Sequence, residues 1–474
     1  MTLIISKSEL QKTQTKKTQT KKTIKRPYSL FKSIVFACMT AVLLTFKVAA
    51  AQPDSLQTLS QYLDALAQND KIIASVAIRQ QGKLVYHHQG GFASVNDKIT
   101  LNKDTKFQVG SITKVYTAVM IMQLVEAGKI SLEQPLSDFL PQIKNAKKIT
   151  IKQLLQHRSG LFNFTNDKRY VLYMEEPQSR EQMLKIINSF DVVFEPDEKF
   201  EYSNTNYLLL GYIIEDIYQT SYAKVLQNQI VKPLKLSNTY FGDAIDPSQN
   251  EAMSYRYQGK WIEATKSDMS IPHAAGAIAS TPADVTAFLY ALFNDELISS
   301  ASVELMLNDS AYGLGVMPYP IKGTLGYGHN GGIDGFLSSA IHFPKEQLTV
   351  AMTVSGINYS LEAFQMSVLD AAFGERVSIP KFEADAMVDL SQLDLEQYAG
   401  LYKTEQLPLD INVFVQQGVI MAQATGQGAF PLTPKSNTKF VFEPAGIEMI
   451  FDVKQNTLIL NQGGGQFTFQ KQSE

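Results

Sequence analysis

Ser111-Ile112-Thr113-Lys114 places a hydroxyl and an amine three residues apart, at the start of an apolar stretch with helical spacing. On a helix, residues i and i+3 share a face, so Lys114 can reach Ser111. A helix N-terminus also offers free backbone N–H groups and a positive dipole end, which suit a developing anion. Lys114 falls among apolar neighbours, where desolvation lowers an ammonium pKa toward the value a base needs. The chemistry suggested is attack by a serine whose proton leaves to a lysine. The spacing alone is weak. It recurs at Ser29–Lys32, Ser221–Lys224, Ser378–Lys381 and Ser436–Lys439, and a helix-capping serine beside a solvated lysine satisfies it equally well. Two further stretches add polar groups. Tyr202-Ser203-Asn204 opens another helix after Phe194-Glu195-Pro196-Asp197-Glu198. His329-Asn330-Gly331-Gly332 lies in a glycine-rich run, Gly326 to Gly335, just ahead of a strand, where the glycines also fit a plain hairpin turn.

The histidines offer rival chemistries. A Ser-His-Asp set could be assembled from Ser159 with His157 or His329, but no G-x-S-x-G elbow is present. His157, in Gln156-His157-Arg158-Ser159-Gly160, reads as a structural turn residue. His87-His88 ends a strand and has neither H-E-x-x-H nor three-ligand spacing, so no metal and no cofactor are expected.

The elements that must position these residues follow from periodicity. Leu56–Ala67 has helical spacing, and Ile73–Arg79 and Leu84–His88 form a hairpin about Gln80-Gln81-Gly82-Lys83. Val115, Val119, Met122 and Val125 make one apolar helix face that Gly128 stops. Further helices are expected at Ile151–His157, Thr205–Tyr218 and Ala283–Phe293, the last entered by Thr281-Pro282. Strands Leu337–Phe343 and Leu348–Val354 precede a helix at Leu361–Phe373. The order implies an α+β fold, a sheet with helices packed on it plus a helical lobe. A linker falls at 376–396, and from Tyr398 short alternating strands punctuated by glycine turns predict a small all-β module of the barrel or sandwich type.

With these three motifs in this order, the chain resembles the serine β-lactamase and penicillin-binding superfamily. The likeness is to its branch of class C β-lactamases, D-amino-acid-releasing hydrolases and related esterases. It runs from about Leu56 to Gly374. It includes Phe107-Gln108-Val109-Gly110, Leu154–Leu161, Tyr202–Leu210, Ala275–Ser280 and the His329 segment. The resemblance implies an antiparallel sheet flanked by helices. It implies Ser111 as the acylated nucleophile and Lys114 with Tyr202 as the proton-transferring pair. It also implies substrate-binding roles for Asn204, His329, Gly331 and Gly332, with the backbone N–H groups of Ser111 and Gly332 as the oxyanion hole. Tyr398-Ala399-Gly400-Leu401-Tyr402 resembles the opening of β-barrel modules appended to this branch. Position 329 departs from the pattern, since β-lactamases and carboxypeptidases usually have lysine there. Histidine is mostly neutral above ~6.5, so a grip on a substrate carboxylate is expected to return below neutrality if His329 protonates, or to come from an Arg or Lys of another loop. A poor β-lactamase and a better esterase or amidase follow.

Composition bounds the rest. The 474 residues are 45% apolar and 19% charged, ordinary globular usage with room for two or three domains. Residues 1–51 hold ten of the 43 basic residues and one of the 46 acids, leaving 33 against 45 and a net charge of −12 beyond them. Such an acidic body repels phosphate backbones, so no nucleic-acid partner is expected. The basic stretch Lys12–Arg26, the apolar run Ser33–Phe46 and Ala49-Ala50-Ala51 have the order of a secretory signal peptide cleaved before Gln52. The run is too short to span a bilayer comfortably. Cys38, the only cysteine, lies within it and follows the bulky Phe36, a poor lipid-attachment context. The expected organisation is a leader at 1–51, a hydrolase domain at 52–375, a linker at 376–396 and a β domain at 397–474. The reading is an exported serine hydrolase, periplasmic or secreted, and not membrane-bound beyond its export signal. It acts on a small-molecule or peptide ester or amide as an esterase, D-amino-acid peptidase or carboxypeptidase-like enzyme, with β-lactamase as the alternative activity. Two rivals are a non-catalytic penicillin-binding-like receptor and a peptidoglycan-binding interaction protein. The complete Ser-Lys-Tyr set weighs against both.

Overall fold

Gln81 and Gly82 both take positive φ, 49° and 75°, as a tight two-residue hairpin turn needs. They join β1 (Ile72–Gln80) to β2 (Lys83–Gly90). This is a computed structural model, and it describes residues 53–308, 311–382, 394–416, 418–425, 429–463 and 465–472. The leader at 1–51 with Cys38, the linker's centre at 383–393 and the turn at 426–428 lie outside these residues. Among the described residues, four later strands complete a main sheet: β3 (Met317–Ile321), β4 (Thr324–Ile333), β5 (Phe336–Phe343) and β6 (Leu348–Ile357). The order is β3-β4-β5-β6-β1-β2, and every neighbouring pair is antiparallel. β1 and β6 are central and covered on both faces, so they read as continuous apolar runs rather than alternating ones.

One face is covered by α1 (Pro53–Gln68) and α5 (Leu361–Ala372), whose Leu59, Leu63, Phe364 and Val368 pack with Val76 and Val350. On the other face Ala340 and Ala351 join the larger core, which contains α2 (Thr113–Glu126), α3 (Asn204–Tyr218) and α4 (Pro282–Phe293). Thr281 caps α4 by accepting the Asp284 N–H at 3.2 Å, and Pro282 sits at its first position. The sequence pattern for α2 implies one apolar face, but the helix is buried on every side from Thr113 to Met122. It lies between the helical lobe and α4, where Tyr116 stacks on Phe288 with ring centroids 3.6 Å apart. The helix expected at Ile151–His157 ends at Leu155, because His157 adopts φ +56° and turns the chain.

The glycine-rich run also differs from expectation. Most of it is β4 itself, and the turn is confined to Asp334 and Gly335, at φ +51° and +92°. A Cβ on Gly328 would lie 1.9 Å from the Ala340 carbonyl oxygen, and one on Gly331 would lie 2.1 Å from that of Val109. These glycines mark close approach of neighbouring backbone, not chain reversal.

From Gly400 to Lys471 a nine-stranded sheet encloses its own core of Tyr402, Ile411, Phe440, Phe451 and Phe469. Its two end strands, Phe430–Pro431 and Thr433–Pro434, are separated in sequence only by Leu432, so the sheet curls until it nearly closes. The α+β architecture with a barrel-like C-terminal sheet is thus as the sequence implies. Among the described residues no helix is long and apolar enough to cross a membrane.

Candidate active site

Ser111 sits in a turn of 3₁₀ helix, Gly110–Ile112, that feeds directly into α2. The turn is pinned from two sides. The Val109 N–H donates to the Ile278 carbonyl at 2.9 Å, and the Val109 carbonyl accepts the Ser338 hydroxyl at 2.8 Å. Gly110 has φ +51°, and a Cβ there would lie 2.8 Å from the Gly332 nitrogen. Only glycine allows β4 to lie this close to the serine.

Lys114 Nζ stands 2.9 Å from Ser111 Oγ, 2.8 Å from Asn204 Oδ1 and 2.7 Å from the Ala275 carbonyl oxygen. It has no exposed surface, and burial holds its pKa well below that of an ordinary lysine. A neutral amine offers two N–H groups and one lone pair. The oxygens of Ala275 and Asn204 can only accept, so they take both N–H groups, and the lone pair faces the Ser111 hydroxyl. On the other side of Oγ, the Tyr202 hydroxyl donates at 2.9 Å. Burial raises the Tyr202 phenol above its ordinary range, opposed in part by its bond to Ser111, so the resting group is protonated. The reading of Ser111 as a helix cap and Lys114 as solvated therefore does not survive. Val109 occupies the cap position of the turn.

Asn204 is oriented by its surroundings. Its backbone N–H donates to Asn163 Oδ1 and its Nδ2 to Thr165 Oγ1, both at 3.0 Å, which leaves Oδ1 for Lys114. Asn163 and Thr165 escaped the sequence reading because nothing in their local pattern marks them, and Ala275 entered it only within a matching stretch, with no role for its carbonyl. His157 is a turn residue, as expected. Its Nδ1 accepts the Ser203 N–H at 3.1 Å, and its ring lies 4.2 Å from that of Tyr202.

His329 is buried behind these groups. Its Nδ1 donates to the Asn330 carbonyl, which leaves Nε2 to accept from the Tyr312 hydroxyl at 3.1 Å. Burial, the largest cause, pushes its pKa down to about 3. The expectation of a cationic grip returning just below neutrality is thereby corrected. At neutral and mildly acidic pH the ring is therefore uncharged.

A cleft of about 220 Å³ opens beside Ser111, bordered by Asn204, Gly332, Phe164, Tyr170 and Asp334. Among the described residues no group of three or more His, Cys, Asp or Glu gathers into a metal-binding set.

Residues 59–365 match the model of the Beta-lactamase family. The chain belongs to this family. Among its Beta-lactamase-family relatives is a Teichoic acid D-alanine hydrolase of Staphylococcus aureus (strain MRSA252), 28% identical over 305 residues, 62% of this chain and 74% of that protein. Penicillin-binding protein 4* of Bacillus subtilis (strain 168) is 26% identical over 447 residues, 87% of this chain and 97% of that protein. Among solved structures, D-amino acid amidase from Ochrobactrum anthropi SV3 complexed with L-phenylalanine matches with a TM-score of 0.61. It is 25% identical and covers 67% of this chain and 98% of its own. Like these relatives, the chain is a serine hydrolase of the β-lactamase-like superfamily, of a kind that acts on amides or esters.

Proposed function

We propose that the protein is an exported hydrolase that cleaves esters and amides of D-amino acids through an acyl-enzyme on Ser111. The observation that carries this is the Ser111 hydroxyl held between the Lys114 amine and the Tyr202 phenol, 2.9 Å from each. Lys114 takes the Oγ proton as Oγ attacks the substrate carbonyl. The backbone N–H groups of Ser111 and Gly332 hold the resulting oxyanion, an effect worth about 10²–10³ in rate per donor. Tyr202 passes its proton to the leaving group and recovers one from the Lys114 ammonium. Water then attacks the acyl-enzyme ester, Lys114 takes its proton, and that proton passes to Ser111 Oγ as the ester C–O bond breaks.

Two relatives, the teichoic acid D-alanine hydrolase and the D-amino acid amidase, carry names that specify D-amino-acid groups, which supports the choice of acyl group. The basic, apolar, A-x-A order of residues 12–51 supports export. The acidic body favours a small-molecule or peptide substrate over nucleic acid. A β-lactamase is the weaker reading, because position 329 carries a neutral ring where a carboxylate-bearing substrate needs a cation. Hydrolysis of p-nitrophenyl acetate, D-alanine p-nitroanilide and nitrocefin tests the choice. The D-alanine derivative and the acetate are expected to turn over with much higher kcat/KM than nitrocefin, and a preference for nitrocefin would overturn it.

A further inference from the structure

Among the described residues, Asp334 is the only charged residue that borders the cleft beside Ser111. It occupies the first position of the Asp334-Gly335 turn between β4 and β5, two residues beyond Gly332. Its carboxylate is fixed. Oδ2 accepts the Ser267 N–H at 2.6 Å and Oδ1 accepts the Ser267 hydroxyl at 2.8 Å. The Ser254 hydroxyl donates to the Asp334 carbonyl and anchors the turn itself. Among the described residues no lysine or arginine forms an ion pair with it.

A half-buried carboxylate without a counter-ion is costly unless something else meets it. Its hydrogen bonds to Ser267 leave each oxygen a further lone pair. Burial holds its carboxyl pKa above the ordinary carboxylate value, against the opposing pull of the bonds from Ser267 and the charge of Arg256, so an incoming cation would favour the ionised form. Arg256 does not line the cleft. The rest of the border includes Phe164, Tyr170, Pro272 and Ile333. A small, largely apolar cleft with one fixed anion beside a nucleophile suits a compact acyl group bearing a cation.

We propose that Asp334 is a specificity-determining residue that receives a substrate ammonium, so that the preferred substrates are aminoacyl esters or amides with a free amine. This rests on the acyl-enzyme reading of Ser111. It also excludes carboxylates from the same end of the cleft, independently of His329.

The test compares D-alanine p-nitroanilide with N-acetyl-D-alanine p-nitroanilide, which keeps the side chain and scissile bond but removes the charge. Wild type is expected to favour the free amine by about tenfold to a hundredfold in kcat/KM, the size of one charge-assisted hydrogen bond. Asp334→Asn keeps the shape, the tolerance of positive φ and partners for Ser267, so it is expected to fold, which thermal unfolding checks. In that variant the ratio is expected to fall to near one. A wild-type ratio of one or below overturns the proposal, as does a ratio that survives in Asp334→Asn. Equal loss on both substrates leaves the ratio intact, marks a structural role and overturns it too. Absence of wild-type turnover on p-nitrophenyl acetate, which carries no amine, removes the acyl-enzyme reading and the proposal with it.

Discussion

Burial sets the resting protonation of the site. Taken out of water, an amine and a phenol both favour their neutral forms, and here the neutral amine is the one with a lone pair to spare. Since Lys114 must be unprotonated to act, kcat/KM is expected to fall on the acid side, through a limb displaced well below the ordinary lysine value of ~10.4. Tyr202, shifted upward, gives no alkaline loss in the working range. A pH–rate profile on p-nitrophenyl acetate checks this, and a limb centred near 10.4 would contradict it. Lys114→Ala and Tyr202→Phe are each expected to cost about 10²–10⁴-fold. The double variant should be hardly worse than the poorer single one, because both serve one proton path. Fully multiplicative losses would assign them to separate steps. At this scale the sequence was informative where spacing is local, as from Ser111 to Lys114. It was silent on Asn163, Thr165 and the Ala275 carbonyl, which reach Asn204 or Lys114 only through tertiary folding.

Elements fail or succeed here by how closely they approach. β4 must lie against the Val109–Gly110 backbone to bring Gly332 beside Ser111, and a Cβ on Gly331 would meet the Val109 oxygen at 2.1 Å and Ser338 Oγ at 2.3 Å. Gly331→Ala is therefore expected to destabilise by about 1–3 kcal/mol and to cut kcat sharply by displacing the strand. Gly323 sits at φ +75° in the turn before β4 with open space around it, so Gly323→Ala is expected to cost only ~1 kcal/mol and to spare activity. Thermal unfolding and kcat for the two variants make the comparison; equal, mild effects would contradict it. The same closeness explains what was unreadable. Glycine weakens strand propensity, so β4 looks like a loop until Val109 and Ala340 are known to press on it. The hairpin at Gln81-Gly82 and the start of α4 at Thr281-Pro282 were legible because their signals are contained within a few residues. The extent of α2 was legible, but not its burial on all sides, which depends on α4 and the lobe.

Over the whole molecule, buried neutral histidines link folding to pH. Burial lowers the pKa of His329 to about 3 and of His342 to about 4, and it lowers that of His157 as well. Each stays unprotonated in the folded chain while the unfolded chain binds a proton below ~6.5. Stability is therefore lost as pH falls from about 6.5 and levels off only below the folded values. At pH 5 the loss is ~2 kcal/mol for each of His329 and His342. His342 lies on β5 and takes no part in the site, held by Thr349 at 2.8 Å and stacked on Phe293. His342→Gln is expected to lessen the drop in Tm between pH 7.5 and pH 5. An unaltered drop would contradict the linkage. At this scale the short alternating strands from Tyr398 announced a β module, whereas the near-closure of its sheet across Leu432 depends on pairings far apart in sequence. The Glu443–Ala445 turn of that module lies against α5, on the sheet face opposite α2, which favours a stabilising role over one of walling the cleft.

The most direct test of Ser111 as the nucleophile is intact-mass spectrometry after exposure to a fluorophosphonate. Wild type is expected to gain the mass of one phosphonyl group while Ser111→Ala gains none. Equal labelling of the two proteins, or none of the wild type, would contradict it.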